Sequence, residues 1–131
     1  FLEGVDGGFH GISHHRNVPE KRLKYEKIIN WHVDQLAYLL AKLRSLDEGA
    51  GTLLDNSMIL FGSSLKDGNR HDHHDLPLLL AGRGKGTLRP GRRLRFAEDT
   101  PFCNLHLALM RSMGVEVERF GDSTGPLSGL A

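Results

Sequence analysis

The chain has 131 residues, 39% of them apolar and 25% charged, which fits a folded domain with its own core and excludes a low-complexity, unfolded chain. Seventeen Lys and Arg against sixteen Asp and Glu leave a net charge of +1, so the molecule as a whole does not present itself to a polyanion. One cysteine, Cys103, excludes an intrachain disulfide, and no apolar run approaches the roughly 18–20 residues that span a bilayer as a helix.

Residues 1–18 are polar and rich in glycine (Gly4, Gly7, Gly8, Gly11), which predicts a loop. A helix follows over 19–46. Asn17 serves as its N-cap with Glu20 three residues on, a capping-box pattern, and Pro19 suits a first turn where its missing N–H is not needed. Ile28, Trp31, Gln35, Leu36, Leu39, Leu40 and Leu43 recur at helical spacing, and Gly49 and Gly51 end the segment. Two short apolar runs, 57–62 and 76–81, read as buried strands, the second entered through Pro77, which cannot donate to a ladder. A polar loop over 63–75 joins them. A Gly-rich turn covers 82–86, and 94–96 reads as a short third strand. A second helix starts at Thr100 as cap and Pro101 at N1, buries Phe102, Leu105, Leu109 and Met113, and stops at Gly114. The tail, 115–131, is turn-rich. The order helix, strand, loop, strand, helix predicts an α/β layer arrangement in one domain over 1–131.

Six of the eight histidines fall in two clusters, His10-Gly-Ile-Ser-His14-His15 and His71-Asp-His73-His74-Asp75, both on predicted loops beside the strands. Neutral imidazole is the commonest side-chain ligand for zinc and its neighbours, and a structural site takes about four ligands. Each cluster is short of that number, which points to one composite site assembled by folding. The ligands expected are His10, His14, His71 and His74, holding a divalent transition metal, zinc foremost. His15 adjoins His14, and adjacent side chains diverge, so His15 is expected to orient a ligand or touch substrate, as is His73. The same loop offers Asp67, Asp72 and Asp75, carboxylates that either join the imidazoles as ligands or orient them through hydrogen bonds, Asp67 and Asp75 foremost in the second part. Ser13 lacks a nucleophile elbow and reads as a hydroxyl that holds its loop. Cys103 reads as a buried, inert thiol, and His32 and His106 as packed or surface residues on helices.

The stretch 82–96 carries Arg83, Lys85, Arg89, Arg92, Arg93 and Arg95 and no acid, leaving eleven cations against sixteen acids, or −5, elsewhere. As a basic Gly-rich hairpin it suits the guanidinium forks of Arg92 and Arg93 to an anionic small-molecule ester or an anionic polymer. Sparse aromatics argue against single-stranded nucleic acid.

The hexapeptide His10-Gly-Ile-Ser-His14-His15 resembles the signature of the HXXSHH family, bacterial proteins of unknown function. The likeness continues through Ile29-Asn30-Trp31-His32-Val33-Asp34-Gln35, Leu53-Leu54-Asp55-Asn56-Ser57, Asp67-Gly68-Asn69-Arg70-His71, Leu76-Pro77-Leu78-Leu79-Leu80-Ala81-Gly82 and Phe120-Gly121-Asp122-Ser123-Thr124-Gly125-Pro126-Leu127. The resemblance implies the C-terminal portion of a longer protein that is exported, periplasmic or secreted, often behind a twin-arginine signal. The start at Phe1 and the early motif suit the same expectation.

A more distant likeness joins the chain to the alkaline phosphatase-like superfamily, which places an Asp-x-x-x-His pair before a helix where this chain has His10-x-x-x-His14. That superfamily carries an Asp-His pair after a strand, and here Phe61-Gly62-Ser63-Ser64 departs from it. Its later histidine before a Pro-containing strand corresponds to His71, His73 or His74. The likeness implies a three-layer-type sheet with flanking helices and a metal-dependent hydrolase of phosphate or sulfate esters. The superfamily's nucleophile belongs to an N-terminal half that these residues do not include. The alternative is a non-catalytic binding module with a degenerate metal site and a basic hairpin that docks an acidic partner or polymer.

Overall fold

The long apolar-striped segment forms a helix, and it is the main support of the histidine-bearing chain. The computed structural model describes residues 2–131. In chain order the elements are α1 (Phe9–Ser13), α2 (Pro19–Arg44), β1 (Ile59–Gly62), β2 (Leu78–Ala81), a single 3-10 turn (Gly84–Gly86) and α3 (Cys103–Ser112). They make two compact units, one of Phe1–Lys42 with Phe61–Leu78 and the other of Leu43–Leu60 with Leu79–Ala131.

In the first unit α2 starts one residue later than the capping-box reading requires. The Arg22 N–H bonds to the Val18 carbonyl, so Val18 is the half-in residue, while Asn17 sits in the left-handed region at φ 60°. Ile28 and Leu36 are buried, but Leu39 remains exposed, so the predicted stripe is covered only in part. The loop predicted over 1–18 contains a helical turn, α1. It packs on α2 through Phe9, whose ring stacks on Tyr25 at 5.9 Å and lies 6.1 Å from His32. Ile12 is buried on the same short helix.

β1 and β2 form a two-stranded sheet. Gly62 lies against Leu78 and Gly82 against Ser57, so the pair runs antiparallel, and both strands begin two residues later than their apolar runs. The predicted third strand at 94–96 does not form. Pro90 lacks an N–H and Gly91 turns the chain at φ 78°, and the residues that follow join no ladder among those described. The class is therefore mixed α/β with a small antiparallel sheet.

In the second unit the chain after β2 folds over the turn that precedes β1. The N–H groups of Gly84 and Lys85 reach the Ser57 and Asp55 carbonyls at 3.0 Å each. Asp55 fixes that turn: its carboxylate accepts the Thr52 N–H at 2.9 Å and the Thr52 hydroxyl at 2.7 Å. These bonds first, with Arg83 and Arg44 adding positive charge, hold the Asp55 carboxyl below the usual range.

α3 is shorter than the segment from Thr100 to Gly114. The Thr100 hydroxyl donates to the Ala97 carbonyl rather than accepting from the helix, and Phe102 is the N-cap. Its inner face carries Asn104, Leu105, Leu107 and Ala108, and Met113 is exposed. The face turned because Asn104, a polar residue, is required inside. Its Oδ1 accepts the Thr124 N–H at 2.9 Å, its Nδ2 donates to the Thr124 hydroxyl at 3.1 Å, and its carbonyl accepts the Leu127 N–H. Buried amide groups need such partners, and here they tie down the turn-rich tail.

Gly82 supplies a direct test of this arrangement. A Cβ there would meet the Ser57 carbonyl oxygen at 2.1 Å with φ at +94°, so both space and backbone require glycine. Gly82→Ala is expected to destabilise the protein by more than about 1 kcal/mol in urea unfolding, against a near-neutral Gly8→Ala control, where φ is −82° and a Cβ meets nothing within 4 Å.

Candidate functional site

The two histidine clusters meet inside the first unit. α1 starts at Phe9, with Gly8 extended before it. Its turn is closed by the His14 N–H and the Ser13 hydroxyl, both on the His10 carbonyl at 3.3 and 2.8 Å. The spacing of four residues therefore places His10 and His14 on one side of a helical turn, with ring centroids 4.7 Å apart and edge to face. Ser13 is occupied in this structural bond.

The second cluster rides on a tight turn. An isolated bridge pairs Asp67 with Asp72, and Asp67 Oδ1 accepts the Asn69 N–H at 2.8 Å. His71 follows in the left-handed region at φ 55°. From that position its ring lies 4.8 Å from that of His14. Two further contacts hold the segments together. The Arg16 N–H donates to Asn69 Oδ1 at 2.8 Å, and Gly68 lies against Ser13 and the Tyr25 hydroxyl, where a Cβ would be 3.4 Å from Ser13 Cβ. Arg16 and Asn17 are both left-handed, at φ 48° and 60°, so the chain reverses sharply after the first cluster. Non-glycine residues in this region cost about 1 kcal/mol or more each, and they accumulate where neighbouring contacts fix the geometry.

His10, His14 and His71 thus form a row of three rings with His14 in the middle. His14 is half-buried. Loss of water around it, followed by the neighbouring charges of His10, His71 and Arg16, holds its imidazole below the ordinary value. The neutral form so favoured is the one that ligates a metal. The rings touch by edges and faces, and among the described residues no group of three or more His, Cys, Asp or Glu side chains is already posed around a common point. Convergence on an ion therefore requires the rings to turn.

The remaining histidines of the clusters are held separately. His74 places Nδ1 2.9 Å from Asp72 Oδ1, an oxygen that also accepts the His74 N–H at 3.0 Å. Those two bonds, backbone first, pull the Asp72 carboxyl below its usual range. A carboxylate hydrogen-bonded to one imidazole nitrogen is the arrangement found behind metal-ligating histidines. His73 sets Nδ1 3.2 Å from the Ser64 carbonyl. His15 accepts the Asn17 N–H on Nδ1 at 3.0 Å and has its ring 6.1 Å from Tyr25. Asp67 is used by its own turn and by Arg70, and Asp75 pairs with Lys66 at 3.0 Å. Neither carboxylate is shown touching a histidine; that part falls to Asp72.

Sequence reasoning passed over Asn69, Gly68 and Tyr25. Tyr25 stands one turn before Ile28 and is the natural start of the same stripe, whereas Asn69 carries no local sign that its amide serves a residue 53 positions away.

In the second unit, Arg83 pairs with Asp55 at 3.3 Å and Asn56 donates to Glu48 at 2.6 Å, so polar groups on the wall of the open hollow there are paired with one another. The basic stretch is no hairpin. The N–H groups of Gly86 and Leu88 return to the Arg83 carbonyl, Leu88 is buried, and Arg89 N–H bonds to the Leu130 carbonyl. Arg92 donates to the Arg89 and Leu130 carbonyls, and Arg93 is exposed. His106 packs between Phe102 at 4.4 Å and Phe120 at 5.7 Å.

Comparison with family models, with curated proteins and with solved structures finds no match to the chain.

Two outcomes test this geometry. Asn69→Ala removes the acceptor for the Arg16 N–H; it is expected to cost about 1 kcal/mol and to weaken nuclear Overhauser contacts between the His14 and His71 rings. In an NMR titration His14 is expected to change charge below the usual imidazole value, and His71→Ala to move it part of the way back, because desolvation remains. Folding depresses this value, so the contribution of His14 to stability is complete above the ordinary imidazole pKa. It is lost as pH falls through the depressed one.

Proposed function

We propose that the first unit binds a divalent transition metal, zinc foremost, through His10, His14 and His71, with His74 as the fourth ligand. The observation that carries this reading is the row of three imidazoles at 4.7 and 4.8 Å, built from segments far apart in the chain. The chemistry of the donors agrees with it, since the central ring favours its neutral form and His74 is backed by a carboxylate. When bound, such an ion supplies Lewis acidity to an ester oxygen or to a water. The chain's own part is to hold the donors: Asn69 and Gly68 fix the second segment to the first, and Asp72 orients His74.

The wider reading rests on the HXXSHH resemblance. On it, these residues are the C-terminal portion of an exported bacterial protein with an alkaline phosphatase-like three-layer sheet. The reaction proposed for the longer protein is hydrolysis of a phosphate or sulfate ester. The absence of an Asp-His pair at Phe61-Gly62-Ser63-Ser64 limits this chain to one metal subsite.

Metal content after dialysis, together with the melting temperature at rising zinc, tests the proposal. One equivalent of tightly held metal is expected, with stabilisation of about 2.7 kcal/mol when free zinc reaches a hundred times its Kd. His14→Ala is expected to abolish both effects, and His106→Ala to leave them intact. A chain that dialyses free of metal and melts unchanged with zinc overturns the reading.

A further inference from the structure

The strongest feature outside the histidine site is the exposed stretch 89–96 in the second unit. Every residue from Arg89 to Phe96 is exposed, and after Gly91 the chain has no regular structure. Four arginines fall in these eight residues, and none is seen in a salt bridge with an acid among the described residues. Arg92 is fixed by backbone carbonyls, which orient its guanidinium without neutralising it. Between the remaining cations stand two large apolar residues, in the order Arg93-Leu94-Arg95-Phe96. Leu94 is 39% and Phe96 44% exposed. The segment is anchored at its start by the Arg89 N–H on the Leu130 carbonyl, so it is presented from a fixed base.

Unneutralised arginines alone suit any polyanion. Interleaved apolar side chains left in water narrow the choice, because a soluble polyanion offers them nothing to enter. A bilayer with anionic headgroups satisfies both, drawing the guanidinium groups to phosphates and admitting Leu94 and Phe96 among the acyl chains. Among the described residues no helix is long and apolar enough to cross a membrane, so contact of this kind is peripheral. Outside these eight residues thirteen cations stand against sixteen acids, a balance of −3, which confines attraction to this side of the sequence.

We propose that Arg89, Arg92, Arg93 and Arg95, with Leu94 and Phe96, form a docking surface for anionic phospholipid bilayers. The proposal is independent of the metal site. The experiment is vesicle co-sedimentation of the full chain, with equimolar phosphatidylglycerol and phosphatidylcholine against phosphatidylcholine alone. Binding is expected on the anionic vesicles only, weakening as salt rises. Arg93→Gln with Arg95→Gln is expected to lower the partition about twenty-five-fold, at about five-fold per charge. Leu94→Ser with Phe96→Ser is expected to lower vesicle binding while leaving retention on polyphosphate unchanged. Circular dichroism confirms that both variants keep the parent fold; they alter exposed side chains only. Absence of binding to anionic vesicles at low salt overturns the proposal. So does vesicle binding that survives Leu94→Ser/Phe96→Ser undiminished, which assigns the surface to soluble polyanions instead.

Discussion

One hydrogen bond, from the Arg16 N–H to the Asn69 amide oxygen, joins the two histidine-bearing segments on which the candidate site depends. The donor lies in a sharp reversal after the first cluster, and the acceptor in a turn closed by Asp67. No ladder joins the two segments among the described residues, so contacts from the reversal after α1 to the turn at Asp67 register them. Gly68 adds a close approach to Ser13 and the Tyr25 hydroxyl. With those contacts made, His14 and His71 come into ring contact without either belonging to a long helix or a strand.

The histidine row is built in the manner of a site rather than of a core. Four non-glycine residues around it, Arg16, Asn17, His71 and Asp75, adopt left-handed backbone that open solvent would not select. His14 is half-buried while two further imidazoles stand beside it, an arrangement that disfavours shared protonation. Packing for stability alone would place aliphatic groups here; Ile12, buried next to this row, shows that the chain has them at hand.

Much of this was legible in the residues, for physical reasons that differ by element. The long helix was plain, because its apolar period outlasts the ambiguity of short runs. Its first residue was misread, since Asn17 looks like a cap but is consumed by the reversal. The strands at Ile59 and Leu78 followed from apolar runs between turn residues, but they are not the buried strands expected: β1 is half-buried, and Leu78 and Leu79 of β2 are exposed because a two-stranded sheet leaves a face uncovered. The short segment Leu94–Phe96 was read as a third strand but joins no ladder among the described residues, which composition does not reveal. The two histidine clusters were recognisable from their composition; that His10 and His14 share a helical turn was hidden by glycines whose loop-forming tendency is overridden by Phe9 packing on Tyr25. His74 was paired with other histidines in expectation, while its neighbour Asp72 takes one of its nitrogens. The inner face of α3 was displaced by Asn104, because a polar side chain inside a helix is visible only once its partner Thr124 is known.

Neither compact unit is a single stretch of sequence. Each takes one piece from either side of the other's, so synthesis delivers the first histidine pair well before the turn that completes the row. Until residues near 70 have emerged, Arg16 has no amide to meet, and closing a loop of 53 residues sets the entropic barrier to assembly. An imidazole pair waiting on a nascent chain is a weak, open ligand. The delay means that the proposed capture of an ion belongs to the finished fold and not to the growing polypeptide.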